Sequence, residues 1–225
     1  MANFGFSRLR VVAPYEPHWR EAKSAVGAAD LLENAKSVES FAEAVADCTL
    51  VAGTGTREYR RPGQRVVSLL ELTPLIDDAM GRNSRVALVF GSEKHGLTRD
   101  DLSLCHVLVE IPTDARQPSM NLGQAVAVCL YELIRAERPI CGDAKTPRDA
   151  GTQASKPAAA VSGELDRLAQ VIEETMTASG YSPAIMSRAN RLDVRELLRR
   201  LGLTQADARR AMGLFRRVLW RLRNR

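Results

Sequence analysis

Apolar positions along the chain change period several times, and each change marks an element. Short apolar runs bounded by turn residues occur at residues 9–14 (LRVVAP), 49–53 (TLVAG), 86–91 (VALVFG) and 106–112 (HVLVEIP), and they predict β-strands. Between them, residues 38–46 and 72–80 carry amphipathic helical spacing, and residues 122–135 form a longer apolar helix. Strand and helix alternate up to residue 137, which predicts an α/β domain with a parallel sheet over residues 1–137. Residues 138–163 are rich in Ala, Pro, Gly, Ser, Thr and charge, with almost no large apolar residue after Ile140, and predict a flexible linker. Helical spacing then returns in Leu165, Leu168, Val171, Ile172 and Met176, ending at Gly180, and in Val194, Leu197, Leu198 and Leu201, stopping at Gly202. Thr204 followed by Asp207 has the form of a capping box, ahead of a third apolar face made by Ala211, Leu214, Phe215, Val218, Leu219 and Leu222. Residues 164–225 therefore predict a small α-helical domain.

Charge divides the chain in the same place. The net charge is +5, yet residues 186–225 hold twelve arginines against Asp193, Glu196 and Asp207. The rest of the chain is slightly acidic. A basic segment appended to such a body predicts a polyanion partner, because phosphate contacts supply most non-specific nucleic-acid affinity. The arginines expected to meet phosphate are Arg188, Arg191, Arg195, Arg199, Arg216 and Arg217, with Arg57 from the first domain. No apolar run approaches the length of a membrane span, and MANFGFSRLR has no signal-peptide core, which predicts a cytoplasmic location. Cys48, Cys105, Cys129 and Cys141 lack paired spacing and His18, His95 and His106 add no helix-spaced ligand pair, so no metal site is expected. The first three cysteines lie in apolar runs and predict core positions.

Two loops carry the candidate chemistry. In FGSEKHGLT (residues 90–98), Gly91 and Gly96 bracket Glu93, so that backbone can approach a ligand beside one carboxylate. In IPTDARQPSMNLGQAVAV (residues 111–128), Ser119 and Asn121 stand just ahead of a helix, after a strand, which is where parallel α/β sheets bind ligands. Taken singly, the same residues read as a turn Glu and a helix cap. GTGTR (residues 53–57) lacks the third glycine of a dinucleotide fingerprint and runs on into a polar, Arg- and Pro-containing stretch. His95 reads as an exposed turn residue.

Together FGSEKHGLT and IPTDARQPSMNLGQAVAV resemble the second and third motifs of the TrmH-like (SpoU) RNA ribose 2′-O-methyltransferases of the SPOUT class, in order and at the family's spacing. The resemblance implies an α/β parallel-sheet SPOUT fold whose C-terminal part is a trefoil knot, an exception to the rule that chains do not thread themselves. It implies S-adenosylmethionine (SAM) as cofactor, held by Thr54, Gly55 and Thr56, by Gly91, and by Ile111, Pro118, Ser119 and Met120. Glu93, Ser119 and Asn121 are implied as the catalytic set, with residues 57–65 near substrate and cofactor. Within the family, NFGFSRLRVVAP, residues 27–54 and the helical extension are most similar to the TrmJ group. This implies 2′-O-methylation of the pyrimidine at tRNA position 32 by a homodimer with active sites at the subunit interface. A ribosomal-RNA enzyme of the same fold is the nearer alternative, although it more often carries its RNA-binding domain first. The family's first motif, a strand with Asn-x-Gly and then an Arg, has no counterpart here. The further alternative is therefore an RNA-binding SPOUT protein impaired in methyl transfer.

Overall fold

A computed structural model of the chain describes residues 1–14, 19–21, 27–55, 63–79, 84–137 and 157–224. The first half runs β1 (Arg10–Val12), α1 (Ala29–Glu33), β2 (Lys36–Val38), α2 (Phe41–Val45), β3 (Leu50–Thr54), β4 (Arg65–Ser68) and α3 (Leu69–Ala79). It continues with β5 (Val86–Val89), α4 (Arg99–Leu102), β6 (Val107–Glu110) and α5 (Leu122–Glu137). Three helices complete it: α6 (Ser162–Ala178), α7 (Ser187–Arg200) and α8 (Gln205–Arg223).

The principal sheet has the order β4-β6-β3-β5 and every pairing is parallel. β1 and β2 form a separate parallel pair. Neighbouring side chains on a strand point to opposite faces, and both faces of this sheet are covered. Val51 and Leu108 join a core with Val45, Cys48, Leu97, Leu102 and Cys105, under α2 and α4. Their neighbours Ala52, Val107 and Val109 join the opposite core with Val67, Leu69, Leu72 and Cys129, under α3 and α5. The three described cysteines are thus buried, as their apolar surroundings predict.

The differences from the predicted elements have local causes. The apolar pattern over residues 38–46 divides, because Val38 ends β2 and Ser40 takes an extended conformation in which its hydroxyl caps α2, accepting from the Glu43 N–H at 3.2 Å. The polar stretch that reaches Arg65 turns there into β4, a strand of four residues whose register with β6 gives it its reason to be extended. Residues 157–163, expected as linker, are folded down on both sides. The Ala160 N–H donates to the Leu203 carbonyl at 3.0 Å, the Ser162 N–H to Cys48 at 2.8 Å and the Gly163 N–H to Ala46 at 2.9 Å. A β-carbon at Gly163 would sit 3.1 Å from the Ala46 oxygen, so the close approach of α6 to the α2–β3 turn suits glycine. Helix α6 accordingly begins before residue 164. Residues 138–156 of the expected linker, together with Thr56, Arg57, His18 and Cys141, lie outside the described residues.

The predicted capping box at Thr204 is present, with the Asp207 N–H donating to the Thr204 hydroxyl and Asp207 accepting from the Thr204 N–H. Leu168, Ala169 and Leu198 form the buried centre of the three helices, flanked by Ile172, Val194, Met212 and Phe215. Among the described residues no helix is long and apolar enough to cross a membrane.

One core group sets a pH dependence. His106, just ahead of β6, accepts the Val51 N–H on Nδ1 at 3.1 Å and is therefore neutral there. Burial, with a smaller contribution from the nearby Arg199 guanidinium, pushes its pKa down to about 3. The folded state then binds fewer protons than the unfolded chain below the ordinary histidine value, so this group's stability is present above about pH 6.5 and is lost as pH falls toward 3. Between pH 7.5 and pH 5 the loss is expected to be about 2 kcal/mol. Denaturant unfolding at the two pH values measures it. The His106→Asn variant, which keeps an acceptor but cannot titrate, should show a correspondingly smaller change.

Candidate functional site at the carboxyl edge of the sheet

Because β5, β3 and β6 are adjacent and parallel, the loops that follow them emerge side by side at one edge. At the end of β3 the Thr54 hydroxyl donates to the Val89 carbonyl at 3.0 Å, and the Gly55 N–H donates to the Val109 carbonyl at 3.1 Å. These two bonds lock the three strand ends together. Among the described residues, a β-carbon on Gly55 would meet nothing within 4 Å.

The loop after β5 closes on itself. The Gly96 N–H donates to the Ser92 carbonyl at 2.8 Å, and Gly96 has a φ of 64°. A β-carbon at Gly91 would stand 2.0 Å from the Gly96 carbonyl carbon and 2.2 Å from the Leu97 nitrogen. Glycine at position 91 thus serves the closure of the loop. Thr98 then caps α4 in a capping box with Asp101. His95 is an exposed turn residue, its N–H 3.3 Å from the Ser92 hydroxyl.

After β6, Ile111 packs against the core beneath α3 and α5. The Thr113 hydroxyl reaches the Pro118 carbonyl at 3.2 Å, folding residues 113–118 into a loop that returns to the start of α5. Ser119 is exposed, Met120 half-buried. Asn121 does two things at once. Its Oδ1 accepts the Gln124 N–H at 3.3 Å, capping α5, and its Nδ2 donates to Glu93 Oε1 at 3.4 Å. The second bond joins the loops after β5 and β6, bringing together two of the three expected catalytic residues. It is a long bond on an exposed surface, so ligand contacts can compete with it.

The expected phosphate-binding arginines divide into three groups. Arg199 is a correction: its side chain is 0% exposed and lies between the helices and the sheet domain. It donates to the Leu104 carbonyl at 2.9 Å, the Ser162 hydroxyl at 3.0 Å and Asp166 at 3.1 Å, and can meet no phosphate. Burial pushes its pKa down, and the adjacent Asp166 carboxylate opposes that. Arg191 is held bidentately by Glu173 at 2.8 and 2.9 Å, and Arg195 lies 3.5 Å from Asp166. Both therefore serve the packing of α7 on α6. Arg188, Arg216 and Arg217 are at the surface, Arg188 beside Asp100 and Arg217 stacked over the Trp220 ring at 4.9 Å. Arg216 also lines a cleft of about 300 Å³ with Arg167 and Arg209. Those two were not singled out in the sequence, although the spacing of Arg209 and Arg216, seven residues apart on one helix, could have paired them. A larger cleft of about 470 Å³ among the same helices holds Glu173, Glu174, Arg191 and Arg223, whose charges are already paired with one another.

A TrmJ tRNA (cytidine-2′-O-)-methyltransferase from Methanocaldococcus jannaschii is 39% identical over 136 residues, 59% of this chain and 58% of that one. The chain thus spans little more than half of that relative's length. A TrmJ tRNA (cytidine/uridine-2′-O-)-methyltransferase from Klebsiella pneumoniae is 32% identical over 190 residues, covering 80% of this chain and 72% of the relative. Among solved structures, TrmJ from Z. mobilis ZM4 superposes with a TM-score of 0.80 at 27% identity, covering 97% of this chain and 89% of that one. That likeness includes the helices after residue 157. The profile of the SpoU rRNA Methylase family matches residues 1–131, which takes in β5, β6 and both loops tied by Asn121 and Glu93, and the chain belongs to that family.

Proposed function

We propose that this protein is a SAM-dependent tRNA ribose 2′-O-methyltransferase acting on the pyrimidine at position 32 of the anticodon loop. The observation that carries the reading is the Asn121–Glu93 bond, which assembles the family's second and third motifs into one surface at the carboxyl edge of the sheet. The names of the TrmJ relatives support tRNA as the substrate and ribose as the position. The residues suit SAM: among the described residues nothing would meet a β-carbon at Gly55 within 4 Å, Ser119 is exposed, and the Glu93 carboxylate can balance a cationic sulfonium. Thr54, Gly55, Thr56 and Gly91, with Ile111, Pro118, Ser119 and Met120, would hold it. SAM, when bound, supplies an electrophilic methyl group.

The remaining work is positioning. Asn121, fixed at the start of α5 by its own cap, presents its amide beside Glu93, and Ser119 offers a hydroxyl two residues earlier. These three groups would orient the target ribose so that its 2′-hydroxyl lies in line with the methyl, and alignment of this kind supplies much of the rate in such transfers. The knot expected of the family would tie the loops after β5 and β6 to α5. Half-exposed Val128 and Tyr131 on α5 support the homodimer.

The test is methylation of an unmodified tRNA transcript with SAM, scored at position 32 by mass spectrometry. Asn121→Ala is expected to lower kcat about 100-fold by releasing both the ribose and Glu93. Glu93→Gln, which keeps an acceptor for the Asn121 amide, should lose less than Asn121→Ala. An unimpaired Asn121→Ala enzyme would remove this site from the chemistry. A wild-type protein that binds tRNA but transfers no methyl would establish the RNA-binding alternative.

A further inference from the structure

The connection between α6 and α7 holds large apolar side chains out in water. Ile185 is 93% exposed, Tyr181 75% and Met186 50%. A mobile loop would present such residues incidentally, but this turn is pinned. Ser182, between Tyr181 and Pro183, is buried. Its N–H donates to the Met176 carbonyl at 3.1 Å, and its hydroxyl accepts from the Asn190 amide at 2.7 Å. The Met186 N–H donates to the Pro183 carbonyl at 2.9 Å, and the next residue, Ser187, donates to Glu173 at 2.7 Å. The fold therefore pre-forms an aromatic and aliphatic tip whose hydration is unfavourable, and contacts made by it need little further ordering.

Its surroundings say what would cover it. Two residues beyond Met186, Arg188 is 79% exposed and lies 2.5 Å from Asp100. Asp100 belongs to α4, which directly follows the loop carrying Glu93. The tip thereby lies at the flank of the candidate site. An exposed ion pair of this kind is worth little, so the guanidinium can exchange its carboxylate for a phosphate at small cost. An aromatic ring and an aliphatic side chain beside an exchangeable guanidinium match an unpaired nucleotide, with a π face to stack and a phosphate to pair.

Resting on the proposed RNA substrate, we propose that Tyr181, Ile185 and Met186 form a stacking platform for unpaired nucleobases of the RNA, with Arg188 taking an adjacent phosphate. The tip reads loop character, and it adds a salt-independent component to binding that the arginines cannot provide. None of the four belongs to the proposed catalytic set.

The experiment uses the full chain with a fluorescently labelled unmodified tRNA transcript and, separately, a fully paired RNA duplex, each titrated at several salt concentrations. The double variant Tyr181→Ala/Ile185→Ala should bind tRNA at least tenfold more weakly with an unchanged log–log salt slope, as lost stacking predicts. Tyr181→Phe should bind normally because the ring is kept. Arg188→Ala should flatten the slope by up to about 0.9. Duplex binding should be unaffected by the double variant. Because both residues are exposed, its melting temperature should match the wild type. Unchanged tRNA affinity, an equal loss on duplex, or conversion of a dimer to a monomer by the double variant would each overturn the platform, the last by making the tip a contact between copies of this chain. Methyl transfer by the wild type is measured in parallel: its absence refutes the enzyme reading, whereas an active wild type with an indifferent tip refutes only this proposal.

Discussion

Replacing Arg199 by alanine is expected to cost the fold about 3–5 kcal/mol, the range for removing one member of a buried ion pair. The guanidinium spans three elements: it donates to the Leu104 carbonyl ahead of β6, to the Ser162 hydroxyl at the start of α6, and to Asp166. Removing it leaves two buried acceptors short of a donor and weakens the compensation of Asp166, which among the described residues keeps Arg195 at 3.5 Å. Arg199→Lys should recover only part of the loss, since a single ammonium cannot reproduce the guanidinium fork. Urea denaturation measures the change. Arg188→Ala, at an exposed pair, is the control and should move stability by less than about 1 kcal/mol. A change at Arg199 as small as at Arg188 would show that the helices do not depend on this anchor. The tRNA affinity of the folded fraction should be unchanged in Arg199→Ala, which separates this arginine from those at the surface.

Gly91→Ala is expected to be the most damaging single-methyl change at the candidate site. The added carbon would overlap the Gly96 carbonyl carbon at 2.0 Å and the Leu97 nitrogen at 2.2 Å, and both are backbone atoms held by the Ser92–Gly96 bridge. Backbone cannot swing aside as a side chain can, so the loop must open. Overpacking of this kind costs about 1–3 kcal/mol and sometimes more. Opening the loop also moves Glu93 away from Asn121, so methyl transfer should fall at least as far as in Asn121→Ala. Unfolding midpoints and transfer rates measured together test this. A variant as stable and as active as the wild type would mean that the loop does not close in this way. Cofactor affinity alone would not distinguish a blocked pocket from a displaced loop.

Gly91 and Arg199 are both conspicuous in the sequence, but their roles are not legible there. Gly91 stands out as a glycine beside a candidate carboxylate, and what the fold adds is a second stretch of backbone that a side chain there would strike. Arg199 stood out as one arginine of twelve in residues 186–225, and composition cannot tell a buried guanidinium from eleven others. Its difference lies in partners 95 and 37 residues away.

What the sequence determined by itself is whatever depends on near neighbours. The strands β3, β5 and β6 and the helices α5 to α8 follow from apolar period, and the Thr204–Asp207 box from residues three apart. The two family motifs are likewise continuous strings. Tertiary structure decided the rest, because the groups concerned meet only after the chain has folded. β2 and β4 are three and four residues long, too short to announce themselves, and are strands because β1 and β6 lie beside them. Asn121 meets Glu93 across 28 residues because β6 and β5 flank β3 in one parallel sheet, so their loops leave by the same edge. A local period fixes which face of an element is apolar; only the order of strands and the packing of helices decide which distant side chain that face, or that loop, will meet.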